Sequence, residues 1–412
     1  MTMASRGSNT ALVLAGGGAL GAYEAGVLHY ALETLAGEIG RPPRIDFFSG
    51  TSVGGLNASY LAANAHDLSG ASHRLVEFWR SITFDRILGF GGPQMVALVR
   101  LMLGRGPGQA FLRAALPRPR QAPHPPVAGI FDTTPLHDRM RALIPWRKLG
   151  RNLTSGRVKG ITLCATEICT GKSIVFCQMG KGGRFTPGRD PMREVRHVTM
   201  DANYAMASAA IPFIFPSVQI DGICYTDGGL RQNTSLNPAL RMGADRVLVV
   251  SLRPDPARAT MIARAGCRRN PYPGALFLLG RTVNVLLSQS LDYELARVEM
   301  YNKLIEGGRD AYGDGFLGTL NRIMGGYRNA TYRPVRTAHV RPTEDLGQLA
   351  LDVLRTAPDE LILPGASGRI MGAFMGSTTL AESDLLPFLM FTPTYIEALL
   401  ERGYRDAKAQ SE

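Results

Sequence analysis

Leu12 to Leu28 read LVLAGGGALGAYEAGVL: a short apolar run, three consecutive glycines, a fourth three residues on, then apolar residues at helical spacing. Such a segment is expected to bury a strand, turn tightly over bare backbone amides and leave as a helix. The alternation recurs through the first 252 residues. "IDFFSGTS" (45–52) predicts a second strand, and the small-residue "VGGLNASYLAANA" the helix behind it. "GITLCATEI" and "SIVFCQM" predict a strand pair joined through the Gly171-Lys172 turn, "VQIDGICYTDGG" two short extended pieces, and "DRVLVVSL" (245–252) a β-branched core strand. Apolar runs alternating with helical patterns give an α/β class. After Leu252 helical pattern dominates. There "PVRTAHVRP" is expected to rejoin the sheet, and "FTPTYIEALLERGYRDA" reads as a helix with Thr392 at the N-cap and Pro393 in the first turn.

The glycine loop spells Gly16-x-Gly18-x-x-Gly21, as a dinucleotide-binding turn does. Such a turn needs an acid about 20 residues on, at the end of the second strand, to hold the ribose. Here that strand ends in Ser49-Gly50, and its Asp46 lies at the wrong end. The position carries Gly50-x-Ser52-x-Gly54 instead, flanking glycines that let a strand turn sharply so that the serine points outward at a helix N-terminus. The glycine loop then fits an oxyanion cradle, with the N–H groups of Gly17, Gly18 and Ala19 aimed at one carbonyl oxygen. Losing one such donor typically costs ~10²–10³ in rate.

A serine hydroxyl needs a group to take its proton. Of seven histidines (29, 66, 73, 124, 137, 197, 339), only His339 falls in the chain order Ser…Asp…His, and none sits in a catalytic context. Asp227, in "CYTDGGLRQNTSLNP", is the better base: a strand-end carboxylate before two glycines, free to lean towards another loop. A turn with an Asx hydrogen bond would look the same. A free aspartate, with a pKa near ~3.9, is a feeble base, so the site must be partly dehydrated.

These stretches together resemble the patatin-like phospholipases, serine acyl hydrolases that use a Ser–Asp dyad, over roughly Ala11 to Leu252. "GGGALG" resembles the family's oxyanion-hole motif (Gly16, Gly17, Gly18, Ala19, Gly21), "GTSVG" its nucleophile elbow (Gly50, Ser52, Gly54), and "DGG" its dyad loop (Asp227, Gly228, Gly229). "ASAAIPFIFP" (207–216) is similar to the helix and turn the family places before that aspartate. Leu20 stands where many members carry a basic residue, which leaves the backbone donors intact. The resemblance implies a three-layer α/β/α fold around a mainly parallel sheet, with a catalytic domain at 11–252 and a helix-rich C-terminal extension at 253–412 packing on it. It implies a lipid acyl hydrolase that cleaves carboxylic esters of phospholipids or lysophospholipids through an acyl-enzyme. No cofactor or metal is needed. The alternatives are a soluble carboxylesterase or thioesterase on short acyl groups, and a non-catalytic lipid-binding protein.

Forty-six Lys and Arg against 34 Asp and Glu give a net charge of +12, and no nucleic-acid module accompanies it. From Arg86 to Phe131 there is no acid, while arginines 86, 100, 105, 113, 118 and 120 recur before the proline-rich "LPRPRQAPHPPVAG". This insertion reads as a solvated helix and loop, or as an interfacial element touching an anionic membrane. No apolar stretch reaches ~20 uncharged residues. "MTMASRGSNT" is not read as a cleavable signal. The five cysteines show no metal-ligand spacing and read as reduced thiols. A cytoplasmic protein is expected; export without a cleavable signal, and the oligomeric state, stay open.

Overall fold

The computed structural model describes residues 8–89, 129, 131–255, 281–282, 284–285, 291–328, 331–361 and 385–411. The bulk of the basic, proline-rich insertion (90–128 and 130) lies outside the described residues, as do residues 1–7 and Cys267.

Strands β1 (Thr10–Leu14), β2 (Phe47–Thr51), β3 (Gly160–Glu167), β4 (Ser173–Met179), β5 (Arg193–His197), β6 (Val218–Ile220), β7 (Ile223–Asp227), β8 (Arg246–Val250) and β9 (Arg336–Val340) form one sheet among the described residues. Its main order is β5-β4-β3-β2-β1-β8-β9. The pairs β1–β2, β1–β8, β2–β3, β4–β5 and β8–β9 are parallel; β3–β4, β3–β7 and β6–β7 are antiparallel. The sheet is thus mixed and mostly parallel, as expected, and "PVRTAHVRP" does rejoin it as β9. Strand β5 was not legible, because "REVRH" is half exposed and carries no apolar run.

Alternation along β1 divides the core. Leu12 and Leu14 join a large apolar cluster on one face, while Ala11 and Val13 join a second cluster on the other. The first face is covered by α1 (Gly21–His29), α2 (Leu35–Ile39), α3 (Val53–Ala63), α4 (Leu68–Arg80), α5 (Thr134–Leu143) and α6 (Ala202–Ser208). The second is covered by α7 (Leu236–Met242) and α8 (Leu291–Tyr312). Helices on both faces of a sheet buried on both sides make three layers. A π-helical segment, Tyr30–Thr34, joins α1 to α2.

The last helix, α9 (Pro393–Ala409), belongs to the first face. It starts where the sequence places it, after Thr392, although the threonine hydroxyl makes no capping bond. It lies directly on α1. A Cβ at Gly26 would overlap the Leu400 carbonyl, and one at Gly403 would overlap the Tyr23 carbonyl, so two glycines let the backbones touch. Beside that crossing the buried Tyr23 hydroxyl donates to Asp406 Oδ2 at 3.1 Å, and Asp406 also accepts from the Thr343 amide and hydroxyl at 3.1 and 2.6 Å. Burial, and then Asp406, push the Tyr23 phenol far up, so it stays a donor. Arg80 of α4 clamps Glu397 of α9 with two bonds of 2.8 Å.

Gly403→Ala tests the crossing. Helix propensity alone would favour alanine by about 1 kcal/mol. The overlap should reverse that sign and lower unfolding free energy by about 1–3 kcal/mol in a urea titration.

Candidate active site

Strand β3 sets the site. Along one edge it pairs first with β2, ending at Thr51 opposite Cys164, and then with β7, ending at Asp227 opposite Ala165. β2 runs parallel to β3 and β7 antiparallel, so their C-terminal ends meet head-on. Ser52 follows Thr51, and Asp227 is the last residue of β7. Two residues 175 positions apart in sequence meet because adjacent positions on one strand dictate it.

Ser52 sits at φ 54°, ψ −130°, a backbone conformation that L side chains rarely adopt. It is held there from both sides. Its amide donates to Ser208 Oγ at 2.9 Å, and that hydroxyl donates to the Cys164 carbonyl at 2.6 Å. Gly50 and Gly54 permit the turn by close approach: a Cβ at Gly50 would strike the Gly54 carbonyl, and one at Gly54 the Ala15 carbonyl. Helix α3 begins directly after the serine, at Val53.

The Asp227 carboxyl is buried and receives the Gly229 amide on Oδ1 at 2.6 Å. Burial pushes its pKa up to about 6, the Ser52 hydroxyl and Gly229 amide only partly opposing that. Its backbone is fixed in turn, by its own N–H to the Ala210 carbonyl at 2.8 Å and by the Thr166 hydroxyl to its carbonyl at 2.9 Å.

The glycine loop leaves β1 and turns at Gly18, φ +56°, where the Phe388 carbonyl occupies the place a Cβ would take. Its amides are not equivalent. The Gly16 N–H donates to the Asn233 carbonyl at 3.1 Å, and the Gly21 N–H turns back to Gly18 and Ala19. These two amides therefore shape the loop. Among the described residues the N–H groups of Gly17, Gly18 and Ala19 bond no acceptor.

Gly18 and Ser52 open onto one pocket whose wall is apolar, formed among others by Leu56, Tyr60, Trp79, Met140, Leu143 and Phe215. A serine hydroxyl and the Gly18 amide at an apolar pocket, with a buried carboxylate at the adjoining strand end, are groups that can carry out acyl transfer.

Sequence reasoning missed the supports of this site. Glu24, fully buried on α1, receives Asn57 Nδ2 at 2.9 Å, and Asn57 Oδ1 accepts from Trp79 Nε1 at 3.2 Å. Burial pushes the Glu24 carboxyl well above its ordinary range. Asn233 puts a buried, unpartnered Oδ1 beside Gly16. No sequence pattern signals these partners, which come from different helices. His339 stands on β9, three strands from β2; it bonds the Ser251 hydroxyl at 2.8 Å, and burial and Arg341 press its pKa down to about 4. It is not brought to Ser52. Cys164, Cys169, Cys177 and Cys224 are free thiols. A possible ligand set, absent from the sequence expectations, does come together elsewhere: His29, Glu33 and His73. No helix among the described residues is long and apolar enough to cross a membrane.

The family model "Patatin-like phospholipase" matches residues 12–240. No curated protein matches the chain. Among solved structures, VipD from Legionella pneumophila aligns at 12% identity and a TM-score of 0.35, covering 98% of this chain and 66% of that one. Human GIVD cytosolic phospholipase A2, in complex with methyl γ-linolenyl fluorophosphonate, aligns at 14% and 0.33, covering 98% and 59%. The heterodimeric ExoU–SpcU complex from the type III secretion system of Pseudomonas aeruginosa aligns at 16% and 0.25, covering 92% and 68%. The chain spans less than two thirds of the first two.

Because the folded-state pKa of Asp227 lies above its ordinary 3.8, the folded chain binds the extra proton between about pH 4 and 6. Stability therefore falls as pH rises through that window and stays lowered above it. Asp227→Asn, which keeps an acceptor for Gly229, is expected to raise stability above pH 7 by roughly 1–3 kcal/mol and to leave it little changed near pH 4. Thermal melts of both proteins at the two pH values check this.

Proposed function

The chain belongs to the patatin-like phospholipase family, and from that premise we propose that it hydrolyses carboxylic ester bonds of phospholipids or lysophospholipids, with Ser52 as nucleophile and Asp227 as base. The observation that carries the reading is the register along β3, which brings Thr51, directly before Ser52, beside the buried Asp227, with Ser52 lining an apolar pocket.

In the proposed reaction Asp227 takes the Ser52 proton as the Oγ attacks the ester carbonyl. The oxyanion forms against the amides of Gly17, Gly18 and Ala19. Collapse breaks the ester C–O bond, and Asp227 returns its proton to the leaving alcohol, a lysolipid or glycerophosphoryl group. Water, deprotonated by the same carboxylate, then attacks the acyl-enzyme. Fatty acid departs and Ser52 recovers its proton. Every proton passes through one carboxylate, which suits a base whose pKa burial has brought near 6.

The apolar wall supports a long acyl chain over a short one, since each buried methylene contributes about 0.8 kcal/mol. Phe213 supports work at a lipid surface: it is 62% exposed at φ +67°, between the pocket-lining Ile211 and Phe215. On this reading residues 11–252 are the catalytic unit and 253–412 an extension that braces it.

Four measurements test the proposal together: the Ser52→Ala variant, a substrate comparison, a pH profile and a pocket-filling variant. Ser52→Ala should lower phospholipid turnover by about 10⁴-fold or more and abolish covalent labelling by a fluorophosphonate. Faster turnover of a short soluble ester than of micellar phospholipid would favour the esterase alternative; labelling that persists in Ser52→Ala would overturn the nucleophile. For the wild type, kcat/KM should rise with pH and level off above about pH 6, as Asp227 ionises. Leu136→Trp, filling part of the pocket, should lower kcat/KM for long acyl chains about tenfold more than for short ones.

A further inference from the structure

We propose that His29, Glu33 and His73 form a binding site for a divalent first-row transition metal, with Zn²⁺ as the natural probe. The site lies outside the Ser52 pocket, and its case rests on none of the catalytic assignments.

The three side chains come from three helical segments. His29 ends α1, Glu33 follows one turn later on the π-helical segment, and His73 projects from α4. One Glu33 oxygen, Oε2, lies 2.9 Å from His29 Nδ1 and 3.7 Å from His73 Nδ1. Donor atoms about 2.0–2.2 Å from a tetrahedral ion lie roughly 3.3 Å apart, so these separations bracket the spacing such an ion imposes.

The distinguishing observation is how little else these atoms meet. His29 Nδ1 and Glu33 Oε2 are buried atoms in ion-pair contact at 2.9 Å, a contact that does not have hydrogen-bond geometry, and neither makes a hydrogen bond to any other group. Buried polar atoms left unsatisfied are costly, and a shared cation would satisfy both at once. A π-segment at this point fits, since such segments recur at functional positions in helices. The donor set is two imidazoles and one carboxylate, which suits Zn²⁺ and leaves a fourth position for water. Entry is open through His73, whose side chain is 57% exposed. On the inner side the His29 ring lies 5.7 Å from the Tyr404 ring of α9, which limits how far the imidazole can turn.

Bound metal would tie the helix after the glycine loop to α4, whose Leu75, Phe78 and Trp79 line the Ser52 pocket. The site therefore has the geometry of a staple between α4, which lines the pocket, and the helix that follows the loop carrying the pocket-lining Gly18.

The test uses the untagged full chain, stripped with EDTA and dialysed, titrated with ZnCl₂ by calorimetry. The wild type should bind one Zn²⁺ saturably, and excess Zn²⁺ should raise its melting temperature by about 2–5 °C. Co²⁺ in its place should give the intense visible bands of tetrahedral coordination. His73→Ala should weaken Zn²⁺ binding by about 100-fold or more and remove the thermal shift, with His66→Ala, an exposed histidine outside the cluster, retaining both. His73→Gln repeats the comparison should alanine disturb the fold, judged by the melt in EDTA. Absence of saturable binding by the wild type, or equal affinity in a folded His73 variant, would overturn the proposal.

Discussion

The meeting of two strand ends on β3 governs the molecule. Thr51 opposite Cys164 and Asp227 opposite Ala165 leave no freedom in where the hydroxyl and the carboxylate lie, because register is quantised in whole residues. Much of the surrounding hydrogen bonding then defends that junction. Ser208 ties the Ser52 amide to the Cys164 carbonyl, and the Ala210 carbonyl receives both the Asp227 amide and the Thr226 hydroxyl. The sheet spends a buried, destabilised carboxylate at its centre and recovers the loss through packing on two faces.

A second constraint concerns the glycine loop, which has little side-chain bulk of its own to hold its shape. It is fixed from outside, by the Asn233 carbonyl at Gly16, the Leu252 side chain against Gly17 and the Phe388 carbonyl against Gly18. Helix α1, into which the loop feeds, is pinned by α9 through the glycine crossing and the Tyr23–Asp406 bond. The C-terminal region contributes no group to the proposed reaction, yet the bare amides stand where they do partly because of it.

The strands that carry the site were legible because each is an apolar run closed by a turn: β1 before its glycines, β2 before Ser52, β7 before Gly228. β5 was not, since a half-exposed strand of charged residues has no periodicity to read. In the loop, spacing alone could not separate amides that are spent within the protein from those left bare. That distinction depends on Asn233, whose carbonyl reaches Gly16 from beyond β7. Glu24, Asn57 and Trp79 look like ordinary helix residues until three helices are packed together. His29 and Glu33 do show a one-turn spacing, but His73 lies forty residues further on, and only the approach of α4 unites them.

The Tyr23–Asp406 bond joins residues 383 positions apart. Contacts of such long range form late, after the entropy of closing nearly the whole chain has been met. The strand ends that carry Ser52 and Asp227 are built from residues up to 227, while the helix that backs the glycine loop begins only at Pro393. The register between β2, β3 and β7 can therefore be set before the glycine loop acquires its outer brace.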